Sequence, residues 1–137
     1  MIRVSLSTKL PASASRVWEL VGGFNALPDW HPAIEKSELS ESGRVRTLTL
    51  ANGAKLVERL QKHDDRGRSY SYSIATSPLP ITDYTATISI RDAGADGCIM
   101  DWSGNFEPQG VPAAEAEKAI AGIYESGFES LRRMFGG

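Results

Sequence analysis

From Ile34 to Phe106 the chain reads as six strands in succession, 34–40, 44–50, 54–62, 69–76, 83–91 and 97–106, and no other feature constrains the fold as strongly. Within these blocks apolar and polar residues alternate, the period at which successive side chains point to opposite faces of a sheet. The gaps are short and rich in turn formers: Ser42-Gly43, Asn52-Gly53, Asp65-Arg66-Gly67, Pro78-Leu79-Pro80 and Gly94-Ala95-Asp96-Gly97. Gaps of this length join antiparallel neighbours, because parallel pairs need a long crossover. A seventh strand opens the chain, where Val4, Leu6, Thr8 and Leu10 alternate with Arg3, Ser5, Ser7 and Lys9.

Two short helical pieces separate the first strand from the rest. Pro11-Ala12-Ser13 sets up a helix start with Ser13 as N-cap, Val17, Leu20, Val21 and Phe24 share one face, and Gly22-Gly23 ends it. Leu27–Pro32 allows no more than a turn of helix between its prolines. The last segment, 112–135, is a long helix: Pro112 suits its first turn, and Ala116, Ile120, Ile123, Tyr124, Phe128, Leu131 and Phe135 recur at the helical period. The expected architecture is α+β, a seven-stranded curved antiparallel sheet wrapped around a long C-terminal helix, with two short helices after strand 1. One domain spans 1–137. A curved sheet gripping a helix leaves space between them, a natural place for a pocket.

Composition narrows the function classes. At 137 residues the chain has the size of one domain, and 41% hydrophobic against 23% charged residues is globular composition. Fifteen Lys+Arg against 17 Asp+Glu give a net charge of −2, without the basic field of a general nucleic-acid binder. No apolar run reaches the ~20 residues of a membrane span. Cys98 is the sole cysteine, so no internal disulfide forms and a reducing, cytoplasmic setting is expected. Two histidines, His31 and His63, and one cysteine are too few for a structural zinc site. The chain also lacks a Gly-x-Ser-x-Gly elbow, a glycine-rich phosphate loop and a paired-histidine metal motif, so neither metal nor cofactor is expected. A monomer or weak dimer is expected.

The turn at Asn52-Gly53 decides which side chains share a face. A two-residue loop mixes apolar and charged residues on both faces of the hairpin. A three-residue loop, Ala51-Asn52-Gly53 with glycine left-handed, pairs 46 with 58, 48 with 56 and 50 with 54. It puts Arg46, Leu48, Leu50, Ala54, Leu56, Glu58 and Leu60 on one face, and this register separates the faces better. Arg46 and Glu58 then oppose each other among leucines on the inner face, where a charge is tolerated only as part of a pair. Even positions continue inward on the later strands: Tyr70, Tyr72, Ile74; Tyr84, Ala86, Ile88, Ile90; Cys98, Met100, Trp102, Phe106. Apolar walls with a few polar groups suit a small-molecule site. They also suit an ordinary core, and the ion pair an ordinary register-fixing bridge. His31 reads equally as a loop histidine bonded to backbone, His63-Asp64-Asp65 as a solvated turn, and Cys98 as a small core residue.

Several pieces in order are familiar: Pro11-Ala12 before Val17-Trp18, Trp30 with Pro32, Gly43-Arg44-Val45-Arg46, Gly53 with Glu58-Arg59-Leu60, Asp64, and Tyr70-Ser71-Tyr72. Asp83-Tyr84-Thr85-Ala86-Thr87, Asp101-Trp102-Ser103 and the final helix complete the set. Over nearly its whole length the chain resembles the START-like (SRPBCC), helix-grip superfamily, in the branch of polyketide cyclases/dehydrases and lipid-transport proteins. Within it the chain is similar to the lachrymatory-factor synthases and, more distantly, to the plant abscisic-acid receptors. The first resemblance implies Arg46 and Glu58 as catalytic residues and Tyr72, Tyr84 and Trp102 as pocket aromatics. The second places His31 where the receptors carry a pocket lysine, and makes 51–53 and 77–80 loops at the pocket mouth.

Two functions follow as expectations. The first is a carrier or sensor of a small hydrophobic molecule with a polar end. Arg46, Glu58 and His31 would receive the polar end, and the walls would be Leu48, Leu60, Tyr72, Ile74, Tyr84, Ile88 and Trp102 on the sheet and Ile120, Ile123 and Tyr124 on the helix. The alternative is a cofactor-free isomerase, cyclase or dehydratase that moves a proton through Glu58 while Arg46 holds an oxygen anion. A weaker third reading is a protein-partner binder using an apolar rim at Pro78-Leu79-Pro80-Ile81.

Overall fold

A computed structural model describes residues 1–95 and 97–136. The loop at 51–53 has the expected geometry: Gly53 adopts φ +87° and donates its N–H to Leu50 O at 2.9 Å, and Leu50 N donates to Ala54 O at 2.8 Å. Asn52 Oδ1 accepts from Ala54 N at 2.9 Å, the local bond that fits asparagine to tight turns. This loop joins β3 (Val45–Leu50) to β4 (Lys55–Asp64) with Arg46 opposite Glu58 and Leu48 opposite Leu56.

The other strands are β1 (Ile2–Leu10), β2 (Ile34–Ser40), β5 (Ser69–Thr76), β6 (Ile81–Asp92) and β7 (Cys98–Pro108). All pairings are antiparallel, in the order β1-β7-β6-β5-β4-β3-β2. Every pairing joins sequence neighbours except that of β1, which lies beside β7, so β1 and β2 occupy opposite edges. Between them run α1 (Ala14–Val21) and α2 (Leu27–Trp30). Ser13 caps α1, its hydroxyl accepting from Arg16 N at 3.2 Å. Gly22 ends that helix for a different reason from the expected one. Its φ of −72° is ordinary, and what it supplies is space, since a Cβ would overlap the indole of Trp18.

A bulge moves one histidine. Between Leu60 and Lys62 the β4–β5 register slips by one residue, so His63 instead of Lys62 takes the inner phase and sits opposite Tyr70. His63 is solvated, as expected, but in a strand and not in the turn, which begins at Asp65. It is a strand residue stacked on Tyr70 at 6.2 Å and donating from Nε2 to Gly22 O at 2.7 Å.

The long helix α3 (Ala113–Gly136) lays Ala116, Ile120, Tyr124, Phe128 and Leu131 against the sheet, all fully buried. Each large apolar side chain so removed from water contributes about 1.5–3 kcal/mol. Its two interior glycines have opposite roles. At Gly127 a Cβ would stand 3.0 Å from His31 Cδ2, 3.0 Å from Trp30 Cζ3 and 3.1 Å from Trp102 Cζ3, so three rings pack where a side chain would be. Gly122 faces open space. Gly127→Ala is expected to lower stability by about 1–3 kcal/mol through overpacking. Gly122→Ala is expected to raise it by about 0.5–1 kcal/mol, because alanine leaves the unfolded chain less freedom to lose. Urea unfolding midpoints moving in opposite directions check both.

Candidate functional site

Between the sheet and α3 lies a cavity of about 170 Å³. The β3–β4 hairpin contributes Leu48, Leu50, Leu56 and Glu58, and β5 to β7 contribute Tyr72, Ile74, Tyr84 and Trp102. The helical side closes it with Ile123 of α3 and with Leu27, His31, Ala33 and Ile34 from α2 and the start of β2; Leu79 stands at the 77–80 loop. Its size is close to that of an engineered apolar cavity of roughly 150 Å³ that takes up benzene.

Glu58 is the charged group of this wall, and it is 5% exposed. Its Oε1 accepts from Arg46 Nε at 2.8 Å and lies 2.7 Å from Nη2 in the ion pair. Among the described residues no donor reaches Oε2. Burial pushes the Glu58 carboxyl above the usual carboxylate range, while the adjacent guanidinium pulls it back. Arg46 is not itself at the cavity. It lies behind Glu58, 1% exposed, with Nη1 donating to Phe24 O at 2.6 Å and its guanidinium 4.2 Å from the Phe24 ring centre and 5.0 Å from that of Tyr72. The expectation that Arg46 meets a ligand oxygen is therefore corrected: its donors are turned to Glu58 and to backbone.

His31 is neutral and fully engaged. Ala33 N donates to Nδ1 at 3.2 Å, so the proton sits on Nε2, which donates to Ile123 O at 2.8 Å. Burial lowers its pKa below the ordinary 6.5, against the raising effect of the Ile123 carbonyl. The side chain pins the α2–β2 corner to α3 and presents ring carbons to the cavity. With no free nitrogen it cannot receive a ligand's polar end, which corrects that expectation in favour of the backbone-bonded reading.

The hydroxyls adjoin one another. Trp102 Nε1 donates to Tyr72 Oη at 3.2 Å, and the Tyr84 hydroxyl interacts with that of Tyr72. Tyr84 and Tyr124 bond to each other through their hydroxyls beneath Gly104, where a Cβ would overlap Tyr124 Oη. Burial holds Tyr72 and Tyr84 well above the normal tyrosine range, so both stay neutral hydrogen-bonding groups. Chemically, the site offers an apolar box with one unpartnered carboxylate oxygen beside neutral phenols. Among the described residues no group of three His, Cys, Asp or Glu assembles as metal ligands.

A family model described as "Polyketide cyclase / dehydrase and lipid transport" matches residues 1–136. The chain belongs to that family. Among solved structures of the wider superfamily, protein XoxI from Bacillus cereus is 40% identical, with 98% of this chain and 96% of that one covered at a TM-score of 0.97. A START superfamily protein from Mycobacterium smegmatis is 19% identical over 97% and 96% of the two chains, TM-score 0.80. The Zhui aromatase/cyclase from Streptomyces sp. R1128 is 16% identical over 96% and 89%, TM-score 0.75. The last two likenesses are of fold alone. No curated protein matches the sequence.

In this polyketide cyclase/dehydrase and lipid-transport family member, Leu48, Glu58, Tyr72, Ile74, Tyr84, Trp102, His31 and Ile123 line the cavity. Five others do not line it. Besides Arg46, Leu60 sits half-buried beside the bulge, and Ile88 and Ile120 are spent in solid core. Tyr124 is turned to Tyr84 and stacked on Trp102 at 4.3 Å. The site also uses residues that the sequence did not single out. Leu50 and Leu56 were legible from the hairpin face and Leu79 from the rim, whereas Leu27, Ala33 and Ile34 carry no local signal.

Proposed function

We propose that the protein binds a small hydrophobic molecule with one polar end in the cavity between the sheet and α3, as a carrier or sensor. The observation that carries this reading is the unpartnered Glu58 Oε2 in an otherwise apolar, benzene-sized box. Oε2 is open to a donor from a bound molecule, and a hydrogen bond to a charged acceptor is of the stronger kind. A second reading has its own support. Burial raises the Glu58 carboxyl above its usual range, and neutral Tyr72 and Tyr84 hydroxyls stand on the next two strands, β5 and β6, the equipment of a cofactor-free isomerase, cyclase or dehydratase using Glu58 as acid and base.

Native mass spectrometry of protein purified gently from its own host, with analysis of the denatured extract, tests the binding reading. The expected result is a stoichiometric small molecule released on denaturation, and its loss from Ile123→Phe, which grows into the cavity. An equal load on wild type and Ile123→Phe would place the ligand elsewhere. An empty wild-type cavity would shift the weight to the catalytic reading, and turnover surviving Glu58→Gln would then exclude Glu58 as its acid–base group.

A further inference from the structure

We propose that the molecule this site takes is of single-ring size and that its polar end is a hydrogen-bond donor, a hydroxyl or amine, instead of a carboxylate or a long lipid chain. This inference rests on the cavity being a ligand site. The first observation is the direction of the ion pair. Both Arg46 contacts fall on Oε1, Arg46 itself is not part of the cavity wall, and the remaining guanidinium nitrogen is committed to Phe24 O. The pair therefore presents its negative end inward, and no cation remains to meet an acid. A carboxylate entering here would face the Glu58 carboxylate between apolar walls, where like charges repel.

The other polar atoms agree. Both His31 nitrogens are occupied, so imidazole supplies no compensating donor. Tyr72 Oη already accepts from Trp102 Nε1 and interacts with the Tyr84 hydroxyl, so Glu58 is the acceptor that a ligand hydroxyl or amine meets. The rings of Tyr72, Tyr84 and Trp102 in the wall likewise tolerate a cationic amine, whose charge is attracted to aromatic faces. Size sets the second limit: about 170 Å³ holds one ring and its substituent, while drug-sized ligands occupy roughly 300–1,000 Å³.

The test is a matched series titrated into the wild-type protein and followed by backbone amide shifts of Leu48, Leu56 and Ile74: toluene, benzyl alcohol, benzylamine and phenylacetate. Toluene reports whether the cavity takes a ligand at all. The expected result is binding of toluene, binding of benzyl alcohol or benzylamine about tenfold or more tighter, and phenylacetate weaker than toluene. In Glu58→Gln the donor preference should shrink and phenylacetate should gain, because the new amide can donate. Folding of that variant is checked by near-UV circular dichroism, and the wild-type series decides the matter without it. Phenylacetate binding as tightly as benzyl alcohol would overturn the donor assignment while leaving the cavity a ligand site. Failure of every probe to bind would overturn both.

Discussion

Arg46→Met lowers the unfolding free energy by about 3–5 kcal/mol, as does Glu58→Leu, and the two changes together recover most of that loss. The reason is burial. Each residue is at most 5% exposed, so removing either leaves the other as an uncompensated charge in a region walled by leucines and aromatic rings. Removing both leaves no charge, and two apolar side chains fill similar volume. Recovery stays incomplete because Phe24 O loses the Nη1 donor, which costs about 1–3 kcal/mol if no water replaces it. Urea unfolding of the four proteins at one pH gives the coupling energy directly. Single-variant losses below about 1 kcal/mol would mean the pair behaves as an exposed bridge, and the buried geometry would be wrong.

That cycle also bears on function. A buried ion pair adds little net stability over an apolar replacement. Its position, with one carboxylate oxygen left open at a cavity, is therefore better explained by what the oxygen meets than by what the pair holds together. A double variant that is stable but has lost its preference for benzyl alcohol over toluene would separate the two roles in one experiment.

Much of this arrangement was legible from residue order. The loop at Ala51-Asn52-Gly53 set the register because one choice sorts leucines from threonines and the other does not, and that register put Arg46 opposite Glu58. Period two then carried Tyr72, Tyr84 and Trp102 to the same face. What period cannot reveal is a break in itself. The slip between Leu60 and Lys62 inverted His63 and left Leu60 beside the site instead of in it. Depth within a face is equally silent. Ile120 and Ile123 share the helical stripe, yet Ile120 meets solid core and Ile123 meets the cavity. The commitments of Arg46 to Phe24 O and of His31 to Ile123 O join segments far apart in the chain, and no local pattern announces a backbone carbonyl as a partner.

Trp102→Ala should be as damaging as breaking the ion pair, about 3–5 kcal/mol, yet repairable by a small molecule. The indole is 2% exposed, stacks on Tyr124 with ring centres 4.3 Å apart and packs on Trp30 at 5.6 Å. Its N–H also supplies the donor to Tyr72 Oη. Truncation loses those contacts and joins the vacated space to the existing cavity, because Trp102 is part of its wall. Added indole can refill that space and restore the bond to Tyr72, stabilising the folded state by about 2.7 kcal/mol at a hundredfold excess over its Kd. Indole should therefore raise the Tm of Trp102→Ala far more than that of the wild type, whose cavity has room for a single ring. Trp102→Phe should lose less stability and gain less from indole, since a phenyl ring keeps most of the packing but not the N–H. Equal Tm increases for wild type and Trp102→Ala, with Leu48 and Ile74 amide shifts showing indole in the wild-type cavity, would mean that the wall does not limit ligand size, and the single-ring assignment would fall with it.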